Sequence, residues 1–214
     1  MKEKLYNVRP VKSGNLLLTG RGGDHNWQDA EILTDFAYPW DIGDPPFTSF
    51  KALHDASWLY CLFEVEDHNV IVYTEKNEKW EVVSSDRVEI FFRATEAMNP
   101  YYCLEIDPTG RVLDYEASLH RKFNYPWSWP AGQLKIKASR VTNGYIVEFA
   151  VSKESLKNFN VLKGDRIESG LYRANCTQAT DAQSNMKWIS WIKPSSETPD
   201  FHIPSSFGTL IFRH

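Results

Sequence analysis

The chain has 214 residues, and its 24 Lys and Arg against 28 Asp and Glu give a formal net charge of −4 at pH 7. The basic residues are scattered, which leaves no patch that would attract a nucleic-acid backbone, and no apolar run approaches the roughly 20 residues that span a bilayer. These features argue against nucleic acid and membrane as partners, and because Met1-Lys-Glu-Lys lacks the apolar core of a signal peptide, we expect a soluble, cytoplasmic protein.

The first third of the chain predicts two strands between irregular segments. Residues 1–13 are predicted to be an irregular lead-in, and the glycines of 19–23 predict a turn, since their spacing is not that of a phosphate-binding loop. Residues 50–53 and 58–66 predict a β-hairpin, because apolar and polar residues alternate through 58–66. Residues 70–73 predict either a further strand or part of a long excursion that continues through 74–81, of the kind in which ligand sites tend to lie.

The stretch from Trp80 to Tyr115 is the centre of the predicted fold. Its alternation places Val88, Ile90 and Phe92 on one face of a strand over 87–93, with Glu89 on the other face. The same pattern continues over 102–106, after which Asp107-Pro-Thr-Gly110 predicts a turn and 112–113 begin the returning strand. The stretch is therefore predicted to be a β-meander.

The last third predicts further strands and one helix. Asn143-Gly144 predicts a hairpin turn between strands at 134–140 and 145–151, and Ser152 predicts the cap of a short helix. Trp127 and Trp129 alternate in a Pro-flanked segment, which fits either a cap on the edge of the fold or an exposed platform. With strands at 166–176, 187–192 and 207–212, the sequence predicts one domain over residues 1–214. Its predicted class is all-β, an antiparallel β-sandwich of jelly-roll type with one or two short helices.

Four stretches carry a resemblance to a known family. In their order and spacing, over about residues 27–212, they resemble family 9 carbohydrate-binding modules and family 9-like proteins. The stretches are Phe50-Lys-Ala-Leu-His-Asp with Trp58-Leu-Tyr-Cys-Leu-Phe-Glu-Val, Trp80 with Ser85-Asp-Arg-Val-Glu-Ile-Phe-Phe92, Gly144-Tyr-Ile-Val-Glu148, and Ile189-Ser-Trp191 with Phe201-His-Ile-Pro204 and Phe207-Gly208.

The resemblance implies a β-sandwich that holds the end of a mono- or oligosaccharide between two aromatic rings, without catalysis. By position, Trp80 matches the first ring and Phe201 occupies the place of the second, while Glu89 and Asn175 match polar groups of the site. The arginine that the family has near Cys103 is replaced in this sequence. The resemblance also allows a structural calcium, although we expect no other cofactor.

These residue types suit a sugar, since aromatic rings cover the apolar face of a pyranose and charged groups bond strongly to its hydroxyls. His202 and Gln178 add hydrogen-bonding groups near Phe201 and Asn175. Trp191 is a further candidate ring, but Trp188 and Trp191 fall on opposite faces of one strand, so at least one of them belongs to the core. Glu89 also fits a charge pair with its neighbouring arginines.

Three alternative functions stay open at this point. Glu89, Glu105 and Glu148 could supply the two carboxylates of a glycoside-active enzyme, although the sequence leans against an enzyme because no nucleophile motif accompanies them. Met98 and His202 could ligate a haem. The third alternative is a structural or partner-binding domain with a degenerate sugar site.

Metal binding has little support in the sequence. The six His and three Cys residues form no HxH, HExxH or CxxC motif, which argues against a catalytic metal. Asp24, Asp29 and Asp67 are candidate calcium ligands, but they do not belong to a recognisable calcium loop.

Overall fold

The computed structural model describes residues 3–179 and 184–214. Within these ranges the chain forms twelve β-strands and one short α-helix, with 3₁₀ turns at His25–Asp29, Lys79–Ser84 and Pro204–Ser206. The elements are β1 (Leu5–Pro10), β2 (Thr48–His54), β3 (Trp58–Glu66), β4 (Arg87–Arg93), β5 (Tyr101–Ile106), β6 (Val112–Ser118), β7 (Lys122–Asn124), β8 (Leu134–Val141), β9 (Gly144–Ser152), α1 (Lys153–Asn158), β10 (Arg166–Ala179), β11 (Ser184–Ser190) and β12 (Gly208–Phe212).

The strands form two sheets that β1 joins. Sheet 1 has the order β7-β6-β5-β4-β10-β12, with β11 paired to the second half of β10, and sheet 2 has the order β2-β3-β9-β8. The first half of β1 pairs in parallel with β12, and its second half pairs in parallel with β2. All the other strand pairs are antiparallel. The predicted all-β antiparallel sandwich is therefore confirmed.

The prediction of an irregular lead-in over residues 1–13 is wrong, because residues 5–10 form β1. Tyr6 and Val8 are fully buried, and the hydroxyl of Tyr6 donates to the carbonyl of Glu31 at 2.5 Å and accepts from the amide of Ala52 at 2.7 Å. This strand is held by partners from both ends of the chain, which no local pattern reveals.

The core between the sheets follows the predicted alternation. Val88, Ile90 and Phe92 of β4 face it together with Tyr102 and the other inward residues of β5. Phe63 and its alternating neighbours on β3 meet them from sheet 2. The residues between these positions, among them Glu89 on β4, consequently face the outer side of sheet 1.

The outer side of sheet 1 carries a second apolar cluster instead of open solvent. Phe91, Cys103, Tyr115 and Tyr172 project from four neighbouring strands, and Phe201 covers them from the segment that precedes β12. The part of the outer face around Arg87 and Glu89 of β4 stays open as a cavity.

Turn and cap residues act where the sequence predicts them. The amide of Gly110 donates to the carbonyl of Asp107 at 3.0 Å, which closes the turn between β5 and β6. At Gly144, where φ is +153°, a Cβ would lie 1.8 Å from the carbonyl oxygen of Val65, so the hairpin between β8 and β9 requires glycine. The hydroxyl of Ser152 accepts from the amide of Ser155 and caps α1.

The glycine-rich segment 19–23 binds an internal carboxylate. Glu148, fully buried on β9, accepts from the amides of Thr19 and Arg21 at 2.7 and 3.1 Å and also from the amide of Gly20. Its other oxygen accepts from the indole N–H of Trp27 at 2.8 Å. The carboxylate thereby fixes the N-terminal segment on sheet 2.

Trp127 and Trp129 cap the edge of the core. Trp129 is buried and donates to the hydroxyl of Ser155 at 3.1 Å, and Trp127 packs beside it against Tyr102 and Phe159.

Residues 70–73 contain no strand, and the carboxylate of Asp86 accepts from the amide of Ile71 at 2.6 Å to hold this excursion. Among the described residues, no helix is long and apolar enough to cross a membrane.

Candidate functional site

A cavity of about 380 Å³ opens on the outer side of sheet 1, which is within the usual size of a small-ligand pocket. Residues of β4, β5 and β6 form its floor, and the hairpin between β6 and β7 forms one wall. The strand β11 and the segment before β12 form the opposite wall. Its lining residues are Trp40, Val83, Arg87, Glu89, Glu105, Tyr115, Arg121, Phe123, Tyr125, Ser184, Met186, Trp188, Pro199, Asp200, Phe201 and His202.

The floor of the cavity holds two carboxylates and one guanidinium group. Glu89 and Glu105 are paired directly across β4 and β5, an arrangement that is unfavourable for two like charges. The Nε of Arg87 lies 2.7 Å from Oε2 of Glu105 and 2.9 Å from Oε1 of Glu89. The Nε of Arg87 carries one hydrogen atom, which it donates to Glu105. Glu89 therefore has an ionic contact with Arg87 but receives no hydrogen bond from it.

Arg87 and Glu105 are held in place by further contacts. The Nη1 of Arg87 donates to the carbonyl of Val83 at 3.0 Å, and the hydroxyl of Tyr115 donates to Oε1 of Glu105 at 2.8 Å. Within the described residues, Oε1 of Glu89 has no hydrogen-bond partner, although only 2% of the residue is exposed. Such a buried, unpartnered group calls for an explanation.

Burial, and after it repulsion from Glu105, raises the pKa of Glu89 to about 8 against the opposing effect of Arg87. The folded chain therefore keeps a proton on this carboxyl group at neutral pH. Strongly shifted acids in cavities are typical of functional sites. Burial also lowers the pKa of His202 to about 3, so its imidazole is neutral there.

Aromatic rings form the wall on the side of β11. Phe201 stacks on Tyr172 with ring centroids 4.0 Å apart, and Trp40 and Trp188 pack against Phe201 at 5.1 and 5.6 Å. Trp188 is partly exposed, and the guanidinium of Arg87 lies 5.4 Å from its ring centroid. The wall thus offers apolar ring surface directly beside the charged floor.

The facing wall combines aromatic rings with an ion pair. Tyr125 and Phe123 pack against Tyr115 with ring centroids 5.2 and 5.4 Å apart. At the rim, Arg121 donates to the carboxylate of Asp200 at 3.1 Å. Because both members of this pair are partly exposed, it contributes little to stability and is available to a ligand.

The structure brings three of the predicted site residues into this cavity, namely Glu89, Phe201 and His202. The Nδ1 of His202 forms a hydrogen bond of 2.9 Å with the hydroxyl of Tyr101, and only 5% of Phe201 is exposed. Trp80 lies outside the cavity, 42% exposed and edge-on against Tyr125 at 4.5 Å. The structure therefore places Trp80 outside the cavity, against Tyr125 of its lining.

Two predicted site residues lie elsewhere. Asn175 falls on the opposite face of sheet 1 from Glu89, where its amide donates to the carboxylate of Asp67 at 2.8 Å. Trp191 is only 2% exposed and belongs to the core between the sheets. Neither side chain is available to a ligand in the cavity. Gln178 does not line the cavity either, and its side chain accepts a hydrogen bond from Asn185 beyond a bulge in β10.

Several residues of the cavity were not predicted as sugar contacts. Arg87 shares a face of β4 with Glu89, and Glu105 lies opposite Glu89 on β5. The alternation of residues in the meander was therefore enough to predict that both lie beside Glu89. The guanidinium groups of the cavity come from Arg87 and Arg121 in place of the arginine missing near Cys103. The outward direction of Trp188 could be predicted from the alternation of the strand, because the next residue, Ile189, belongs to the core.

The metal and haem alternatives gain no support from the contacts. Asp24 caps the 3₁₀ turn at His25–Asp29, Asp29 pairs with Lys12, and Asp67 pairs with Arg173. Within residues 3–179 and 184–214, no group of three or more His, Cys, Asp or Glu residues could hold a metal ion. Met98 is fully buried in the second apolar cluster, and His202 is bonded to Tyr101 as described above.

Comparison with known proteins gives a consistent result. The model of the family described as carbohydrate family 9 binding domain-like matches residues 18–214. No curated protein matches the sequence.

Three solved structures share the fold. A candidate carbohydrate-binding protein from Bacteroides uniformis ATCC 8492 has a TM-score of 0.75 and 20% identity, with 99% of this chain and 100% of that chain covered. A family 9 carbohydrate-binding module from Caldicellulosiruptor kristjanssonii in complex with glucose has a TM-score of 0.63 and 16% identity, over 98% and 96% of the two chains. The same module in complex with cellotriose has a TM-score of 0.62 and 16% identity, over 98% and 94%.

Proposed function

Because the chain belongs to the carbohydrate family 9 binding domain-like proteins, we propose that it binds a mono- or oligosaccharide, without catalysis, in the cavity beside Glu89. The observation that carries this proposal is the pairing of partly exposed ring surface with buried charged groups in one pocket. Trp188 lies on one side of the cavity and the carboxyl of Glu89 on its floor. Rings suit the apolar face of a sugar, and ionised groups suit its hydroxyls.

The similar module from C. kristjanssonii supports the choice of ligand, since it forms complexes with glucose and cellotriose. In this chain the contacts with a sugar are assigned to different side chains than the sequence predicts. Trp188 takes the role of the principal ring, while Phe201 packs perpendicular to it with ring centroids 5.6 Å apart. Trp80, which is exposed and packs against Tyr125 of the lining, is assigned to a second or third sugar unit.

A hydrolytic role for the same residues is less favourable. Glycoside hydrolysis needs two carboxylates that flank the scissile bond. Glu89 and Glu105 instead sit side by side on one floor and contact the same Nε of Arg87, so both would lie on the same side of a bound sugar. Glu148 is engaged by backbone amides on sheet 2.

Titration with glucose and its β-1,4-linked oligomers, followed by calorimetry, tests the proposal. We expect Trp188→Ala to weaken binding about tenfold, which corresponds to about 1.4 kcal/mol, the size of a stacking contact. Trp58→Ala is the matched control, because Trp58 is also partly exposed but lies on sheet 2. Equal affinity of Trp188→Ala and the parent protein would refute the assignment, as would an absence of binding by the parent at millimolar sugar.

The role of Trp80 is tested separately with ligands of different length. We expect Trp80→Ala to leave the affinity for glucose unchanged and to weaken the affinity for the trimer severalfold, because Trp80 lies outside the cavity. An equal loss for both ligands would place Trp80 in contact with the first sugar and contradict its outer position.

A further inference from the structure

The floor of the cavity holds two carboxyl groups but one guanidinium group. Arg87 balances one of its two carboxylates, and its hydrogen bond goes to Glu105. Arg121, at the rim, is balanced by Asp200. The remaining carboxyl group, Glu89, is therefore left with either a proton or an unpaired charge.

No other group around Glu89 supplies the missing positive charge. The hydroxyl of Tyr115, on β6, is committed to Glu105, and that of Tyr172, the partner of Glu89 on β10, donates to the carbonyl of Ser206 at 2.9 Å. His202 is neutral, as described above. In the part of the chain that the structure describes, Oε1 of Glu89 accepts no hydrogen bond, and the residue lines the cavity.

We propose that the cavity prefers amino sugars, whose ammonium group pairs with the carboxylate of Glu89. The inference rests on the proposed function, because it names the class of sugar that the same cavity takes. An ammonium group supplies both features that the floor lacks, a hydrogen-bond donor for Oε1 and a positive charge beside the second carboxylate. A sugar hydroxyl supplies only the donor, and a hydrogen bond with an ionised donor or acceptor is roughly twice as strong as one between two neutral groups.

The unfavourable pairing of Glu89 with Glu105 explains why the cavity would prefer a cationic sugar to a neutral one. Glu89 and Glu105 face each other across neighbouring strands, which costs stability in the empty protein. A cationic ligand lets Glu89 ionise beside Glu105, whereas a neutral sugar leaves Glu89 protonated. When the ammonium group enters, Glu89 loses its proton to the solvent and becomes a carboxylate, so the charges and the protons balance.

The experiment compares three ligands that differ at one position. Glucosamine carries an ammonium group, glucose a hydroxyl and N-acetylglucosamine an uncharged amide. Calorimetric titration of the intact protein at pH 7 is expected to give at least about tenfold tighter binding for glucosamine than for the other two. Repeating it in buffers of different ionisation enthalpy is expected to reveal proton release with glucosamine and none with glucose.

The variant Glu89→Gln tests the residue itself. It is expected to bind glucosamine and glucose within about threefold of each other, and tryptophan fluorescence during urea unfolding checks that it is folded. The comparison of ligands on the parent protein does not depend on that variant. Binding of glucose and glucosamine with equal affinity by the parent would overturn the preference while leaving the proposed function intact. Failure of all three sugars to bind would overturn both.

Discussion

Replacing Glu89 by Gln should stabilise the protein, and by an amount that depends on pH. The substitution keeps the size and shape of the side chain but removes its ability to ionise. It therefore isolates the cost of placing a second carboxylate beside Glu105 in a buried position. A stabilising substitution in a cavity is expected when the native residue serves binding at the expense of the fold.

The magnitude follows from the pKa of Glu89, which folding raises from 4.5 to about 8. Below pH 4.5 the carboxyl is protonated in both the folded and the unfolded chain, so it carries no penalty. As the pH rises from there to 8, the unfolded chain releases the proton and the folded chain retains it, so stability falls by up to about 1.4 kcal/mol for each pH unit. The penalty is about 3 kcal/mol at pH 7 and levels off near 5 kcal/mol above pH 8.

The free energy of unfolding, measured with urea at pH 5, 7 and 9 and followed by tryptophan fluorescence, checks this expectation. Glu89→Gln should exceed the parent by little at pH 5 and by several kcal/mol at pH 9. Glu66→Gln is the matched control, because Glu66 is an exposed glutamate at the end of β3 and its replacement should change stability little at any pH. A constant difference between Glu89→Gln and the parent across this range would refute the reasoning.

Three further substitutions test the contacts that hold the fold. Glu148→Ala leaves the amides of the glycine-rich segment and the indole N–H of Trp27 without their acceptor, and should lower the free energy of unfolding by roughly 3–5 kcal/mol in urea. Gly208→Ala places a Cβ 2.7 Å from ring carbons of Trp191 and should cost roughly 1–3 kcal/mol, seen as a lower melting temperature. Ser152→Ala removes the cap of α1 and should cost about 1 kcal/mol by the same measurement. No loss of stability in any one of these variants would contradict the contact assigned to it.

Most of the fold could be predicted because its strands alternate strictly. The residues of β4 and β5 show which side is buried, and the turn at Asp107–Gly110 fixes how β5 pairs with β6, so the central meander required no distant information. The strand β1 escaped prediction for the opposite reason. It is short, and its partners β2 and β12 are distant in sequence, so what defines it is the burial of Tyr6 and Val8 between two sheets.

Alternation could predict the candidate site only where it lies on regular strands, whereas Phe201 was reached through the family resemblance and His202 as its neighbour. Glu89 marks the outer face of β4, and the same alternation identifies Arg87 and Glu105 as its neighbours. Trp40 and Phe201 belong to irregular segments, whose side-chain directions follow from tertiary contacts such as the bond from the indole of Trp40 to the carbonyl of Ser196 at 2.9 Å. Trp191 lies just after the end of β11, where parity no longer determines which side faces the ligand.

The central claim is that a sugar occupies the cavity on the outer side of sheet 1, and a crystal structure of the protein grown with a saturating glucose oligomer tests it most directly. We predict electron density for the terminal sugar against the ring of Trp188, with a hydroxyl within hydrogen-bonding distance of Glu89. Sugar density bound elsewhere, for example beside Trp58 on sheet 2, with the cavity free of sugar, would contradict the account.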